Sequence, residues 1–421
     1  METASERPVR LTVADDLQRN RLTVFFRLLL ALPFLIWLAI WAVGAFFVAI
    51  ANWAATLVRG ASPRQLHAFL ARFARYSVHV YAFLHLAAGP LPRFSGKPGY
   101  PIDLEIDPPA RQNRWKVGFR LVLAVPVLLL LGAFFGSGWS QYDSSGDEYQ
   151  RIGLLVVAAV FGWFSALARG RMPRGLRDLI AYGLSYAAQA WAYLTLLTDR
   201  YPSSDPLTAI GPLPARDDPI RLESSDDLQR NRLTVFFRLL LAIPHLIWLG
   251  LWSIVALFAA IGNWFATLFT GTPPAGLHRF LAAYVRYQAH VGAYLYLVGN
   301  PFPGFAGDRG SYPIEIRIAD RAPQNRWIVG FRLVLALPAA LLMAAFGTLL
   351  FSVAVLGWFA SLFTGKMPLG LRNAGALALR YTAQAYGYLL LLTDAYPYSG
   401  PNVAPPPLTA DPTVASPPRG A

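Results

Sequence analysis

The chain has 421 residues, of which 55% are hydrophobic, 14% aromatic and only 14% charged. Soluble domains carry about 25% charged residues, so this composition, with a mean hydropathy of +0.40, excludes an ordinary soluble protein and points to a membrane. The 37 Lys+Arg against 23 Asp+Glu leave a net +14, almost all of it arginine, and the absence of cysteine excludes disulfides, thiol nucleophiles and Cys-ligated metals.

The string Asp15-Asp16-Leu17-Gln18-Arg19-Asn20-Arg21-Leu22-Thr23-Val24-Phe25-Phe26-Arg27 recurs letter for letter at Asp226 to Arg238. The two halves, 1–201 and 219–399, are therefore tandem duplicates, and each is doubled again into units 8–98, 99–201, 219–310 and 311–399. An Asn-Arg pair marks every unit, at Asn20-Arg21, Asn113-Arg114, Asn231-Arg232 and Asn325-Arg326. A Phe-Arg follows, ending at Arg27, Arg120, Arg238 and Arg332, and six residues later comes a proline. Twenty residues beyond the proline stands Trp53, Trp264 or Trp358; in unit 2 an insertion delays the equivalent Trp163.

The elements follow one order in each unit. Alternating apolar residues (Val9, Leu11, Val13; Ile102, Leu104, Ile106; Ile220, Leu222; Ile314, Ile316, Ile318) predict a short half-buried strand. Asp or Asn beside the Asn-Arg pair suits a helix N-cap. An apolar run of 36 or so residues comes next, then an amphipathic helix that opens near a proline (Pro63, Pro173, Pro274, Pro368). The linker 202–218 and the tail 400–421, rich in proline and small residues, are expected to be disordered.

A helix of about 36 residues would be about 54 Å long, against a hydrocarbon core of about 30 Å. The unit-2 insertion, Gly136 to Arg151, is polar and falls near the midpoint of its apolar run. Polar irregular backbone is not tolerated in lipid, so each run is expected to turn back at water as a helical hairpin. The predicted fold is an all-α polytopic membrane protein with about eight spans in four hairpins, interfacial amphipathic helices and short cytoplasmic strands. The basic residues lie away from the hairpin tips, which places both termini in the cytoplasm by the positive-inside rule and the chain in the plasma membrane.

Arg21, Arg27, Arg114, Arg120, Arg232, Arg238, Arg326 and Arg332 are the candidate headgroup or interface anchors, since long basic side chains snorkel to the membrane surface. Trp53, Trp163, Trp264 and Trp358 are candidates for an aromatic belt. Equivalent positions in the amphipathic helices carry His79, Gln189, His290 and Gln384, an alternation that keeps hydrogen bonding but not metal affinity. Strand charges suggest pairing, with Asp103 and Glu105 complementing Arg10 or Arg221. Asp199 and Asp394, in Leu-Leu-Thr-Asp-x-Tyr-Pro, are read as helix ends. No catalytic, metal or cofactor set emerges.

With the Asn-Arg and Phe-Arg pattern and the Leu196-to-Pro202 ending, the chain resembles a bacterial membrane-protein family, domain of unknown function 4389, in two tandem copies. The resemblance implies a membrane protein and no particular activity. The expected role is a non-enzymatic scaffold or accessory protein whose basic face binds anionic lipid, a protein partner or a second copy, and not nucleic acid. The rival expectation is a lipid or small-solute transporter with its site between the two halves.

Overall fold

The computed structural model describes residues 7–136, 152–211, 213–214 and 216–402, and the backbone of 141–142 and 148–149. Asn20, Asn113, Asn231 and Asn325 are extended, and each side-chain oxygen accepts the amide two residues on, an N-cap that starts a helix. Unit 1 comprises β1 (Val9–Val13), α1 (Arg21–Phe25), α2 (Arg27–Arg59) and α3 (Arg64–Leu84). Unit 2 comprises β2 (Ile102–Ile106), α4 (Arg114–Gly118), α5 (Arg120–Phe135), β3 (Gln141–Tyr142), β4 (Glu148–Tyr149), α6 (Leu154–Arg169) and α7 (Arg174–Leu194). After the short α8 (Pro206–Ala209), unit 3 has β5 (Ile220–Ser224), α9 (Arg232–Phe236), α10 (Arg238–Thr270) and α11 (Ala275–Leu295). Unit 4 has β6 (Ile314–Ile318), α12 (Arg326–Gly330), α13 (Arg332–Thr364) and α14 (Leu369–Leu389).

The apolar runs do not form hairpins. α2, α10 and α13 are each 33 residues of unbroken helix, about 50 Å long. Among the described residues three helices, not eight spans, are long and apolar enough to cross a membrane. The physical reason is that nothing at the middle of these runs caps a helix end, and a turn there would strip several backbone groups of their hydrogen bonds. In unit 2 the insertion interrupts one such helix: Gly136 bridges Ile152, and α5 and α6 both pack along α13 as a single long helix would. The rest of the expected tip, 137–140, 143–147 and 150–151, lies outside the described residues.

Nor are the amphipathic helices interfacial. α7 and α14 are buried nearly all round and α3 and α11 over much of their surface. Their apolar stripes pack on the long helices, and their small residues admit other neighbours; Gly183 takes the Leu155 side chain so closely that a Cβ would lie 2.7 Å from it. At 100° per residue, three partners surround α3. Phe69, Phe73 and Tyr76 meet Trp41 of α2, Arg75 and His79 meet β2, and Ala74, Ser77 and Val78 line the groove shared with α7. Those directions place α2 and the strands on opposite sides of the α3–α7 layer. On α7, Tyr182 meets Phe134 of α5, whereas Gln189 bonds Arg7 beside β1. Each half thus has three layers: strands, second helices, long helices.

The strands form as expected and pair antiparallel, β1 with β2 and β5 with β6, with Val9↔Ile106 and Leu11↔Leu104 in register. Arg10 faces Glu105 (3.5 Å), while Asp103 stands opposite Thr12 and turns inward. The second ribbon sets Arg221 opposite Arg317 and Glu223 opposite Glu315. Such like-charge pairs are unfavourable, and they are resolved sideways, Arg317 to Glu223 at 2.7 Å and Arg221 to Asp217 at 2.9 Å.

The first part of the linker, residues 202–211, is packed rather than disordered, because side chains of both second-helix layers bond it. Asp205 caps α8, Ser185 donates to the Ala209 carbonyl (2.7 Å) and Asn373 donates to Asp205 (3.0 Å). At the start of the expected disordered tail, Arg380 holds the Gly400 carbonyl (2.5 Å); residues from 403 lie outside the described residues.

The ribbon register is directly testable in this cysteine-free chain. A Val9→Cys/Ile106→Cys pair should crosslink on mild oxidation, and Val9→Cys/Ile102→Cys should not; equal yields would refute the pairing.

Candidate functional site: two classes of arginine at the helix ends

The eight candidate arginines separate into two sets of four. Arg27, Arg120, Arg238 and Arg332 are only 1–2% exposed. From α1 into α2 the reason is the stripe Val24, Arg27, Ala31, Phe34 and Leu38, the side of these helices that faces the protein. Each guanidinium lies over an aromatic ring near the end of its own unit's second helix: Arg27 over Phe83 (4.3 Å), Arg120 over Tyr193 (4.0 Å), Arg238 over Tyr294 (4.3 Å) and Arg332 over Tyr388 (4.1 Å).

Those helices end in strained backbone. Leu86, Leu196, Leu297 and Leu391 all adopt positive φ, between 60° and 64°, a conformation that costs an L-residue about 1–2 kcal/mol. Their side chains are buried, and their carbonyls are met by donors from the residue before each Asn-Arg pair. Arg19 donates to Leu86 O (2.9 Å), Gln112 to Leu196 O (2.6 Å), Arg230 to Leu297 O (3.0 Å) and Gln324 to Leu391 O (2.6 Å).

Odd and even units balance the charge differently. Arg19 and Arg230 pair with buried Asp15 and Asp226, both at 2.8 Å. There Arg27 and Arg238 spend their donors on carbonyls: Phe83 and Ala88 (3.1 Å) for one, Tyr294 (2.6 Å) and Gly299 (3.1 Å) for the other. In the even units Arg120 donates to Gln112 (2.9 Å) and pairs with Asp199 (3.2 Å), and Arg332 donates to Gln324 (2.7 Å) and pairs with Asp394 (2.6 Å). Asp199 and Asp394, expected only to end helices, are counterions. This first set is therefore not available to headgroups: burial, ring stacking and bonds to carbonyls or to the Gln and Asp side chains hold it inside. The alternation Arg19, Gln112, Arg230, Gln324 was the sequence signal for the two arrangements.

Arg21, Arg114, Arg232 and Arg326 are exposed. Each lies against the left-handed glycine that ends a long helix of the paired unit. Arg21 and Arg232 donate to Ala168 O and Phe363 O, both at 3.0 Å, while the Nε atoms of Arg114 and Arg326 come within 4 Å of a Cβ built on Gly60 and Gly271. The glycines (φ 68° to 77°) permit the turn that bares the last carbonyls, where the helix dipole favours a cation.

The tryptophans lock the same ends instead of forming only a belt. Trp53 donates to Val117 O (3.1 Å), Trp163 to Val24 O (3.0 Å), Trp264 to Val329 O (2.8 Å) and Trp358 to Val235 O (3.1 Å). Every bond crosses to the paired unit, and each pair exchanges them reciprocally.

His79 lies 2.9 Å from Asp103 and His290 lies 3.5 Å from Glu315, both beneath the ribbons. Among the described residues, no three His, Asp or Glu side chains gather as a metal set. Burial pushes the Asp103 carboxyl up, but His79 and the amides of Gly99 (2.6 Å) and Leu104 (2.8 Å) outweigh it and hold the group below its ordinary value.

Four segments, 21–95, 151–204, 232–306 and 326–399, match the family model described as Domain of unknown function (DUF4389), together about two thirds of the chain. The chain belongs to that family. The matches come once per unit, four in all rather than two, and the second begins at residue 151, where the insertion ends. Three of them open at Arg21, Arg232 and Arg326, so the DUF4389 pattern contains the arginines and second helices but not the strands. The chain matches no curated protein and no solved structure.

Replacing Arg332 by Leu strands the Asp394 carboxylate and the Thr393 carbonyl, and should cost about 3 kcal/mol, with Arg332→Lys recovering little because it forfeits the stacked fork. Arg326→Gln should stay within about 0.5 kcal/mol of the parent. Unfolding midpoints in detergent compare them. Asp103, its pKa depressed by folding, contributes stability that is present above its unfolded value near pH 4 and lost as pH falls through the lower folded value. Asp103→Asn should therefore lower the midpoint at pH 7, with the gap to the parent narrowing as the pH falls below the unfolded value of about 4; a gap that widens in acid would contradict this.

Proposed function

We propose that this DUF4389 protein is a non-enzymatic membrane scaffold whose exposed helix-end arginines hold anionic lipid headgroups. One observation carries the reading: Arg21, Arg114, Arg232 and Arg326 occupy equivalent places, each partly anchored at a helix end and each exposed. Further cations stand beside them. Gln18 bridges Arg171 near Arg21, and Ala61 bridges Arg111 near Arg114, bringing basic residues of both paired units together where greasy helix meets polar loop. A phosphate there would meet several guanidinium donors at the boundary where headgroups lie. In this reading the ribbons and both termini share one aqueous side, the cytoplasmic one.

A second reading has one observation in its favour. An open groove of about 820 Å³ between α6 and α13, at the junction of the halves, is walled by Val156, Val160, Phe164, Leu341 and Phe351. Its apolar walls suit an acyl chain, as a lipid carrier requires.

Titration with phosphatidylglycerol in mixed micelles tests the scaffold reading. Near a charged surface each basic residue is worth about 1 kcal/mol, so the quadruple change of Arg21, Arg114, Arg232 and Arg326 to Gln should weaken binding at least about tenfold. It should also flatten the salt dependence. Unchanged affinity would sink the proposal, and lipid flux in reconstituted vesicles would favour the carrier.

A further inference from the structure

The long helices pose a problem of length. α2 exposes large apolar residues from Leu28 to Val58, including Ile36, Ile40, Phe47 and Ile50, with no polar band at either end of the 33-residue stretch short of Arg59. A run of about 50 Å exceeds a hydrocarbon core of about 30 Å by far, and moderate tilt does not remove the excess. The layers pose a second problem. The β1–β2 ribbon lies over the middle of α3, where Arg75 donates to Leu104 O (2.7 Å) and His79 meets Asp103, and the middle of α3 in turn packs against the middle of α2 through Trp41. If α2 crossed a bilayer, this two-stranded ribbon would sit at the depth of the bilayer centre. No further described strand joins its outer edges, and it carries Arg10, Glu105 and, just past β2, Asp107. Lipid does not accept an open sheet edge.

Both problems vanish in one orientation. We propose that the layer normal is the membrane normal, so that the long helices lie along the membrane, embedded in a single leaflet, while the ribbons face water. The three-layer order supports this directly. Ribbons lie on one side of the second helices and long helices on the other, in both halves: Arg286 and His290 of α11 turn to Glu315 of β6, whereas Phe280 and Tyr287 turn to Trp252 of α10. Units within a half exchange the same contacts reciprocally, Trp53 for Trp163 and Trp264 for Trp358. Such pairs run antiparallel, so a crossing orientation would send equivalent arginines to opposite membrane faces, whereas the lying orientation keeps all four at one level. The greasy layer is one helix thick, about 10 Å, which fits the half-thickness of about 15 Å and the depth of an interfacial helix. The surface that meets lipid is the one opposite the buried stripe Ala31, Leu38, Ala45 and Asn52.

The test is independent of the arginine reading, because it uses phosphatidylcholine vesicles without net headgroup charge. Leu29, Ile36, Phe47 and Val58 are 61–73% exposed and lie along the outer line of α2, about 44 Å from first to last. Single cysteines at these positions, carrying nitroxides in the full chain, report depth through their accessibility to oxygen and to an aqueous nickel complex. All four labels should lie in lipid at depths differing by less than about 15 Å, half the core. A Thr12→Cys label should be reached by the nickel complex alone. A larger spread, labels 29 and 58 in opposite leaflets, or any of the four residing in water would overturn the proposal. Loss of phosphatidylglycerol binding in the arginine variants, with this depth profile intact, would bear on the headgroup reading alone.

Discussion

The fold turns on four guanidinium groups buried at the ends of four helices. Leaving one such charge unpaired away from water would cost several kcal/mol, more than any one helix contact returns. Here the desolvation is offset in different ways by odd and even units. An aromatic ring lies under every cation, worth about 2 kcal/mol when desolvated; charged hydrogen bonds at about 1.5–3 kcal/mol each run from Arg27, Arg238 and Arg332 to carbonyls that a helix end leaves unsatisfied; and Arg120 and Arg332 pair with Asp199 and Asp394. Beside them the left-handed leucines Leu86, Leu196, Leu297 and Leu391 are held by Arg19, Gln112, Arg230 and Gln324. Arginine and helix end therefore solve each other's problem, which ties the start of every long helix to the finish of its own second helix.

Duplication then joins the units. The tryptophan of one unit bonds the short capping helix of the other in both directions. The odd and even members have diverged in a coordinated way. Asn52 and Asn263 donate across to Thr195 O (2.8 Å) and Leu390 O (3.0 Å), whereas the equivalent Gly162 and Gly357 leave room for Met172 and Met367. A pair, not a single unit, is thus the smallest piece whose polar ends are satisfied, since one unit alone would expose its strand and half of its capping bonds. This explains why sequence self-similarity is strongest at an interval of two units.

The hairpin expectation failed for an instructive reason. Gly136 to Arg151 is polar and interrupts one apolar run, and polar backbone does shun lipid. What did not carry over was the assumption that the other three runs turn at the same place. They contain no insertion and continue as helix, so the excess of length must be resolved by orientation. The arginines misled in a related way. Arg27 and Arg21 are equally plausible anchors by composition, but they sit six positions apart and face opposite surroundings, one toward Phe83 and one toward solvent.

Local pattern alone determined the four units, the strands, the asparagine caps and the second helices, because each of these depends on a few adjacent residues and on periodicity. Only the tertiary structure decided that the long helices stay unbroken, that the amphipathic helices form the middle layer, that the first part of the linker is packed, and that four arginines are consumed internally while four remain outside. Those outcomes rest on contacts between residues tens to more than a hundred positions apart, such as Trp163 with Val24 and Arg120 with Asp199. A stripe of apolar residues specifies a buried face without naming what covers it, and lipid and protein offer that face the same chemistry.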